Sequence, residues 1–582
     1  MPAPAPVTRF VLALPDDQAF VPATPRHIAA LSRDGTRLVY AANTSLYLRS
    51  MSGFDAQLIQ GTTHQQDVTD PVFSPDGGWL VFYAPENAAI EKVPVSGGRT
   101  VTICSADPVS GMSWGPDGIV FGQGRKGIMR VSPDGRGLTQ IAAVKDGEEA
   151  DSPQILPGGR HLLYTVATGN DPDRWDKAQI VVQAIEAGAA RKTVVELGTD
   201  GRYLATGHLV YGLDGALHAV PFDLQKLEAT GPPTAVVEDV RWAGGRTTGG
   251  YHYSASDTGS LIYIAAVPGS SPRQTYDLVR TDRQGTLERF NVPPLRYRSP
   301  PRVSPDGKRV AFGTDDGKEA IIYTYELSGA SPMQREPLAG NGRYAIWSPD
   351  GWLVYQSDRE GDAGIWQSPR GGGSPERLTR AAPGELHVPE SWNAKAGVLL
   401  FTITKNADVS LWTIAPPWKD PQPFADVHSI YPIGARFSPD GRWVAYVVRE
   451  PSATGTVVYV RPFPATATRY PLTGRGPNFN AHKPAWSTDG TELFYVPRIG
   501  EFEVVPIITR PTFEFGNPVV VPRPFAPGGP NMLPLYDVAP DGRFIGLVPQ
   551  GQSEAFTRQP SRIRVVLNWF DELKAAVPGA HR

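Results

Sequence analysis

A four-residue turn, Ser-Pro-Asp-Gly or a close variant, returns along the whole of this 582-residue chain and limits what it can fold into more than any other feature. The clear copies are SRDG at 32–35, SPDG at 74–77, GPDG at 115–118, SPDG at 304–307, 348–351 and 438–441, STDG at 487–490 and APDG at 539–542. Proline presets φ for the second turn position, aspartate bonds back to backbone N–H groups, and glycine takes the position where φ is positive. Short apolar runs flank each copy, as in FSPDGGWLVFYA (73–84) and FSPDGRWVAYVV (437–448), so the unit reads as a β-hairpin.

Weaker copies fill the gaps: LPGG at 156–159, ATG at 205–207, SDTG at 256–259 and NAKA at 393–396, where the strand VLLF (398–401) persists although the turn chemistry reads as lost. The last turn residues then fall at 35, 77, 118, 159, 207, 259, 307, 351, 396, 441, 490 and 542, spaced 41 to 52 apart. A further SPDG at 132–135 comes too soon to open a unit and reads as the turn of a second hairpin, 128–141. Second hairpins recur at 46–59, 90–103, 276–290, 365–378 and 457–472, giving four strands per unit. Twelve such units exceed the usual four to eight blades of one propeller. The expectation is therefore an all-β protein of two consecutive β-propellers, six four-stranded blades each, with a short C-terminal helix over NWFDELKAAV (568–577).

The boundaries expected are an N-terminal segment with a closing strand (1–20), a first propeller (21–295), a second (296–571) and a helix end and tail (572–582). VPPLRYRSPPR (292–302) reads as the connector. The last unit supplies only three strands, 535–538, 544–548 and 562–569. The run 8–14 is expected to cross over as its fourth, with closure of the first ring as the alternative. The helix, through Trp569, Phe570, Leu573, Ala576 and Val577, is expected to seal the second ring.

The charge of −3 from 56 basic and 59 acidic residues gives no basic excess for phosphate, so no nucleic-acid partner is expected. One cysteine, Cys104, excludes an intrachain disulfide and reads as a small apolar residue in a strand. No apolar run approaches the length of a membrane span, so no membrane insertion by this chain is expected. Localisation is left open: cytoplasmic if Met1 is the native start, periplasmic or extracytoplasmic if the Ala- and Pro-rich residues 2–6 end a linker from a membrane protein.

The blades resemble the WD40-like repeats of TolB-type propellers, YQSDREGDAGIWQ (355–367) matching that family's strand, SDR-x-G turn and strand. Beyond the repeats, FSPDGGWLVFYA…KVPVSGGRTVTIC (73–104), MSWGPDGIVF, TGHLVYGLDGALHAVPFDLQKLEATGPP, YVRPFP and IRVVLNWFDELK are similar, in order, to the C-terminal propeller region of bacterial membrane serine/threonine kinases. That resemblance implies a sensor or docking module. It implies no kinase activity, because the Gly-rich loop, His-Arg-Asp and Asp-Phe-Gly motifs are missing from this sequence.

Gly111-Met-Ser-Trp-Gly115 spells a nucleophile elbow, but a turn and a strand follow where the elbow needs a helix, so Ser113 reads as a blade residue. Asn43-Thr-Ser spells a glycosylation sequon, irrelevant in a bacterial host. His387, His428 and His482 each read as preceding the first strand of a blade and are the candidate channel ligands, although their spacing forms no metal motif. The repeated turn aspartates read as Asx-turn acceptors. Trp114, Trp347, Trp392, Trp486, Phe73 and Phe437 read as inter-blade core. The function expected is a non-catalytic protein- or ligand-binding module with a protein or peptide partner and no catalytic residue, cofactor or metal. The alternative is a propeller lyase or hydrolase using a His-lined channel of the second ring.

Overall fold

In the computed structural model, described residues run from 6 to 578 except 16, 21–25, 170–173, 187, 243–247, 267–274, 316–318, 339, 370–372, 406–407, 450–454, 473–479, 498–500, 510–511, 523–524, 526–528, 531 and 551–560. They form twelve antiparallel sheets, ten of four strands and two with a fifth strand at the outer edge, in two compact units. All twelve turns join the first strand of a sheet to the second, and the 132–135 turn joins a third strand to a fourth. The protein is all-β, two six-bladed propellers with a short C-terminal helix, as the repeat predicts.

One local network builds the turn. In SPDG 74–77 the Ser74 hydroxyl donates to Asp76 and accepts the Trp79 N–H at 2.9 Å, while Asp76 Oδ1 accepts the Gly78 N–H at 3.0 Å. Gly77 sits at φ 70°, where a side chain would be strained. The same bonds recur at Ser32/Asp34, Ser304/Asp306, Ser438/Asp440 and Ser487/Asp489. Turn chemistry persists in NAKA too: Asn393 Oδ1 accepts the N–H groups of Lys395 and Ala396, both at 3.1 Å, so an Asx turn survives without aspartate. Trp114, Trp347, Trp486, Phe73 and Phe437 are buried in clusters that span neighbouring blades, with Trp392 half-buried beside them.

The division of the chain differs from the boundaries read at 295/296 and 571/572. The first unit comprises Met1–Arg273 and Gln559–Arg582, the second Gln274–Arg558. The sixth blade of the first ring takes Tyr253–Ala255 and Leu261–Tyr263 from mid-chain, then Arg562–Leu567 and Thr8–Ala13 from the two ends. Leu261 faces Val566, and Phe10 faces Val565. The strand at 8–13 does lie beside 562–567, but both close the first ring. The sixth blade of the second ring takes Tyr536–Val538 and Phe544–Pro549, then Tyr276–Thr281 and Leu287–Arg289.

Burial explains the choice. Ile563 and Val565 are buried with Leu38, Tyr40 and Leu12, whereas Leu278 is buried with Ile545 and Leu547. Each ring is thus closed by strands from both ends of its own segment, which ties down termini that would otherwise fray. The helix Trp569–Ala576 also belongs to the first unit: Trp569, Leu573 and Val577 pack with Val210, Tyr251 and Leu261, and Ala576 is exposed rather than on the buried face.

Candidate functional site

The first strand of each blade carries a regularity beyond its turn. Seven residues before the last turn residue, seven blades place a left-handed backbone: Asp70 (φ 53°), Gly111 (74°), Ser152 (50°), Asp200 (51°), Tyr344 (54°), Gly434 (57°) and Lys483 (57°). Five of these coincide with a register shift against the second strand, so they are β-bulges. The bulge turns the amide toward the preceding blade: Asp70 N–H donates to the His27 carbonyl (2.8 Å), Ser152 N–H to the Ser110 carbonyl (2.9 Å) and Asp200 N–H to Thr165 Oγ1 (3.0 Å). Two residues further on, polar side chains join blade to blade. Gln154 Oε1 accepts Tyr203 N–H, Ser254 Oγ accepts Leu31 N–H, Ser391 Oγ accepts Phe437 N–H and Asp537 Oδ2 accepts Val303 N–H.

In the first ring these positions assemble a buried ionic cluster. His27 Nδ1 lies 3.0 Å from Asp70 Oδ1, and Nε2 lies 2.7 Å from Asp200 Oδ2. Asp200 Oδ2 also accepts the Tyr251 N–H at 2.9 Å, and Arg202 Nη2 lies 3.1 Å from Oδ1. Burial pushes the His27 pKa down, but the charge of Asp200 and the hydrogen bonds to Asp200 and Asp70 overcome it and raise it to about 10. Burial acts upward on Asp200, and His27 and Arg202 hold it well below the usual carboxylate range. Asp151 is pushed up to about 6 by burial, with its bonds from Ser152 and Gly249 acting the other way. A protonated imidazole with both nitrogens facing carboxylates cannot serve as a base. The cluster fastens the blades.

The three histidines singled out from sequence do not share a site. His387, 3% exposed in strand Glu385–Asn393, contacts Thr379 Oγ1 through Nδ1 at 2.9 Å, and burial lowers its pKa against the pull of Glu385. His428 lies in the outer strand Gln422–Ser429, one residue before its end, instead of preceding a first strand, and sits at the surface 2.8 Å from Asp408. His482 opens a first strand, buried, with Nδ1 2.6 Å from the Asn480 carbonyl. Among the described residues no three His, Cys, Asp or Glu form a group able to hold a metal ion. Ser113 lies within strand Met112–Gly115 and donates to the Pro153 carbonyl at 2.8 Å. Cys104 is half-buried, its thiol pushed up to about 11 by burial, away from reactivity.

The first ring also carries a cleft of about 250 Å³ on its rim, lined by Leu12–Pro15, Tyr40, Arg49 and Phe54–Ala56. Phe54 is 91% exposed, and Phe10, Val11 and Leu58 are also exposed. Among the described residues the strand Thr8–Ala13 beside it pairs on one side only, with Arg562–Leu567. The sequence leaves the ring closed by 8–14 open between the second, as expected, and the first, and so does not locate this cleft. No helix among the described residues is long and apolar enough to cross a membrane.

No family model matches the sequence, and no curated protein matches it. Among solved structures the chain is similar to a protein assigned as TolB from Agrobacterium tumefaciens, at 17% identity over 49% of this chain and 99% of that one (TM-score 0.35). It is also similar to TolB from Acinetobacter baumannii, at 17% identity over 63% and 81% (TM-score 0.32), and to the tricorn protease, at 11% over 92% and 54% (TM-score 0.31). At TM-scores below 0.5 these likenesses bear on neither fold nor activity.

Proposed function

We propose that the chain is a non-catalytic binding module that receives an extended peptide segment of a protein partner on the rim of its first ring. One observation carries the reading: the exposed Phe54 stands over a cleft beside the unpaired edge of strand Thr8–Ala13. An open edge offers main-chain hydrogen bonds to an added strand, and pockets beside it select alternate side chains. The cleft volume of about 250 Å³ is below the usual range of small-molecule sites and suits one or two inserted side chains. Aromatic residues are enriched at protein interfaces. Phe54 stands in the turn of the outer hairpin between Ser45–Ser50 and Ala56–Leu58. A finer reading, as the partner module of a membrane kinase, rests on the order of the motifs at 73–104, 112–121, 206–233, 459–464 and 563–574.

The test is selection from a random peptide library on the purified protein. Binders are expected to weaken at least tenfold with Phe54→Ala, and to protect amides of residues 8–13 from hydrogen exchange. Binders indifferent to Phe54→Ala and leaving those amides unprotected would contradict the reading. For the enzyme alternative, turnover of a lyase or hydrolase panel abolished by His387→Ala would favour it.

A further inference from the structure

Arg302 is a buried cation with no counter-ion among the described residues. It lies in the first strand of the second ring, Tyr297–Val303, five residues before the last turn residue, and is 6% exposed. Its Nη1 is buried and meets no hydrogen-bond acceptor among the described residues. The backbone on either side is fixed: Trp347 Nε1–H donates to the Arg302 carbonyl at 2.8 Å, and Val303 N–H donates to Asp537 Oδ2 at 2.8 Å. The other oxygen of Asp537 is held by Arg436 Nη2 at 3.2 Å. Each oxygen of the nearby carboxylate thus already has a partner. Glu390 faces Thr402 and the N–H groups of Gly434 and Ala435.

Arg436 occupies the equivalent position three blades on and reaches Asp537 two blades beyond its own. A side chain at this level thus reaches across the inner end of the ring, and of the residues five before each turn end in this ring two are arginines, Arg302 and Arg436, and one, Asp537, is a carboxylate. A lysine or histidine in such a place would shed its proton. Arginine cannot, so the desolvation of this unpaired buried ion favours an anion beside it.

We propose that the inner end of the second ring binds a small monocarboxylate, its two oxygens on Arg302 and its charge shared with Arg436. The guanidinium fork matches a planar carboxylate with two parallel hydrogen bonds. One negative charge neutralises the excess. Side-chain exposures of 17% for Arg436 and 13% for Asp537 leave access for a small ion and exclude a folded segment.

The full chain, dialysed into a buffer free of small anions, is titrated with acetate or formate by calorimetry and by thermal melting of the second ring. Saturable binding and a raised melting temperature are expected. Arg302→Met is expected to weaken acetate at least tenfold and, in anion-free buffer, to melt no lower than the parent, because the unpaired charge is gone. Arg302→Lys keeps the charge without the fork and is expected to weaken acetate as well; should Arg302→Met not fold, bromoacetate soaked into crystals of the parent is expected to give an anomalous peak at Arg302. The proposal is overturned if acetate and formate show no saturable effect, or if Arg302→Met titrates like the parent. Chloride or phosphate saturating the site where acetate does not would overturn the ligand class, and so would an acidic peptide binding through Arg302 where acetate fails.

Discussion

His27 ties distant parts of the first ring together. It joins side chains 43 and 173 positions away and is held charged between two buried carboxylates. Removing one member of such a group leaves buried charge behind, so His27→Ala is expected to cost about 3–5 kcal/mol in chemical denaturation. Its pKa is raised from 6.5 to about 10, so this contribution is complete below about pH 6.5 and fades as pH rises through about 10. The gap between parent and His27→Ala should narrow on that side alone; a gap widening with pH would contradict the assignment. The turn aspartates act in the opposite direction. Ser32 and the Thr36 N–H hold Asp34 at about 2, and Ser487 and the Thr491 N–H do the same for Asp489. Their contribution is present above the ordinary value of 3.8 and is lost as pH falls through about 2. Ser438→Ala, which removes one donor and one acceptor from such a turn, is expected to cost about 1 kcal/mol, read in urea. These turn networks are legible in sequence because every partner lies within five residues. The His27 cluster is not, because its members stand on different blades and its two carboxylates, Asp70 and Asp200, sit at left-handed bulges that only the folded ring brings to His27.

At the scale of elements, the twelve inner hairpins were readable from the turns, and so were the outer hairpins at 46–59, 90–103, 365–378 and 457–472. What was not readable is the ring to which the hairpin 276–290 and the strands 8–13 and 562–567 belong. An alternating strand presents the same pattern of apolar and polar residues to either ring, and strand partners lying hundreds of residues apart leave no local mark. The helix followed the strand it continues and so was placed on the wrong ring. Two changes test the observed assignment. Deleting residues 1–15 is expected to lower the melting transition of the first ring and leave that of the second, and Trp569→Ala is expected to destabilise the first ring by about 3–5 kcal/mol. A loss confined to the second ring in either experiment would restore the arrangement read from sequence.

At the scale of the molecule, the second ring is an insertion within the sixth blade of the first, between Leu261–Tyr263 and Arg562–Leu567. Those strands are antiparallel neighbours, with Tyr263 facing Arg564, so a short turn joining them would complete the blade without the insert. In the second ring Tyr276 faces Pro549, which brings the two ends of that segment together in the same way. Each ring is closed by its own segment, and each should fold without the other. The most direct measurement is the thermal melt of the isolated fragment 274–558. It is expected to unfold in one cooperative transition at the temperature of the second ring in the full chain, while the fragment 298–582, which lacks Tyr276–Arg289 and carries a strand and helix of the other ring, melts lower. A 298–582 fragment as stable as 274–558, or a 274–558 fragment with no cooperative transition, would contradict the interleaved closure.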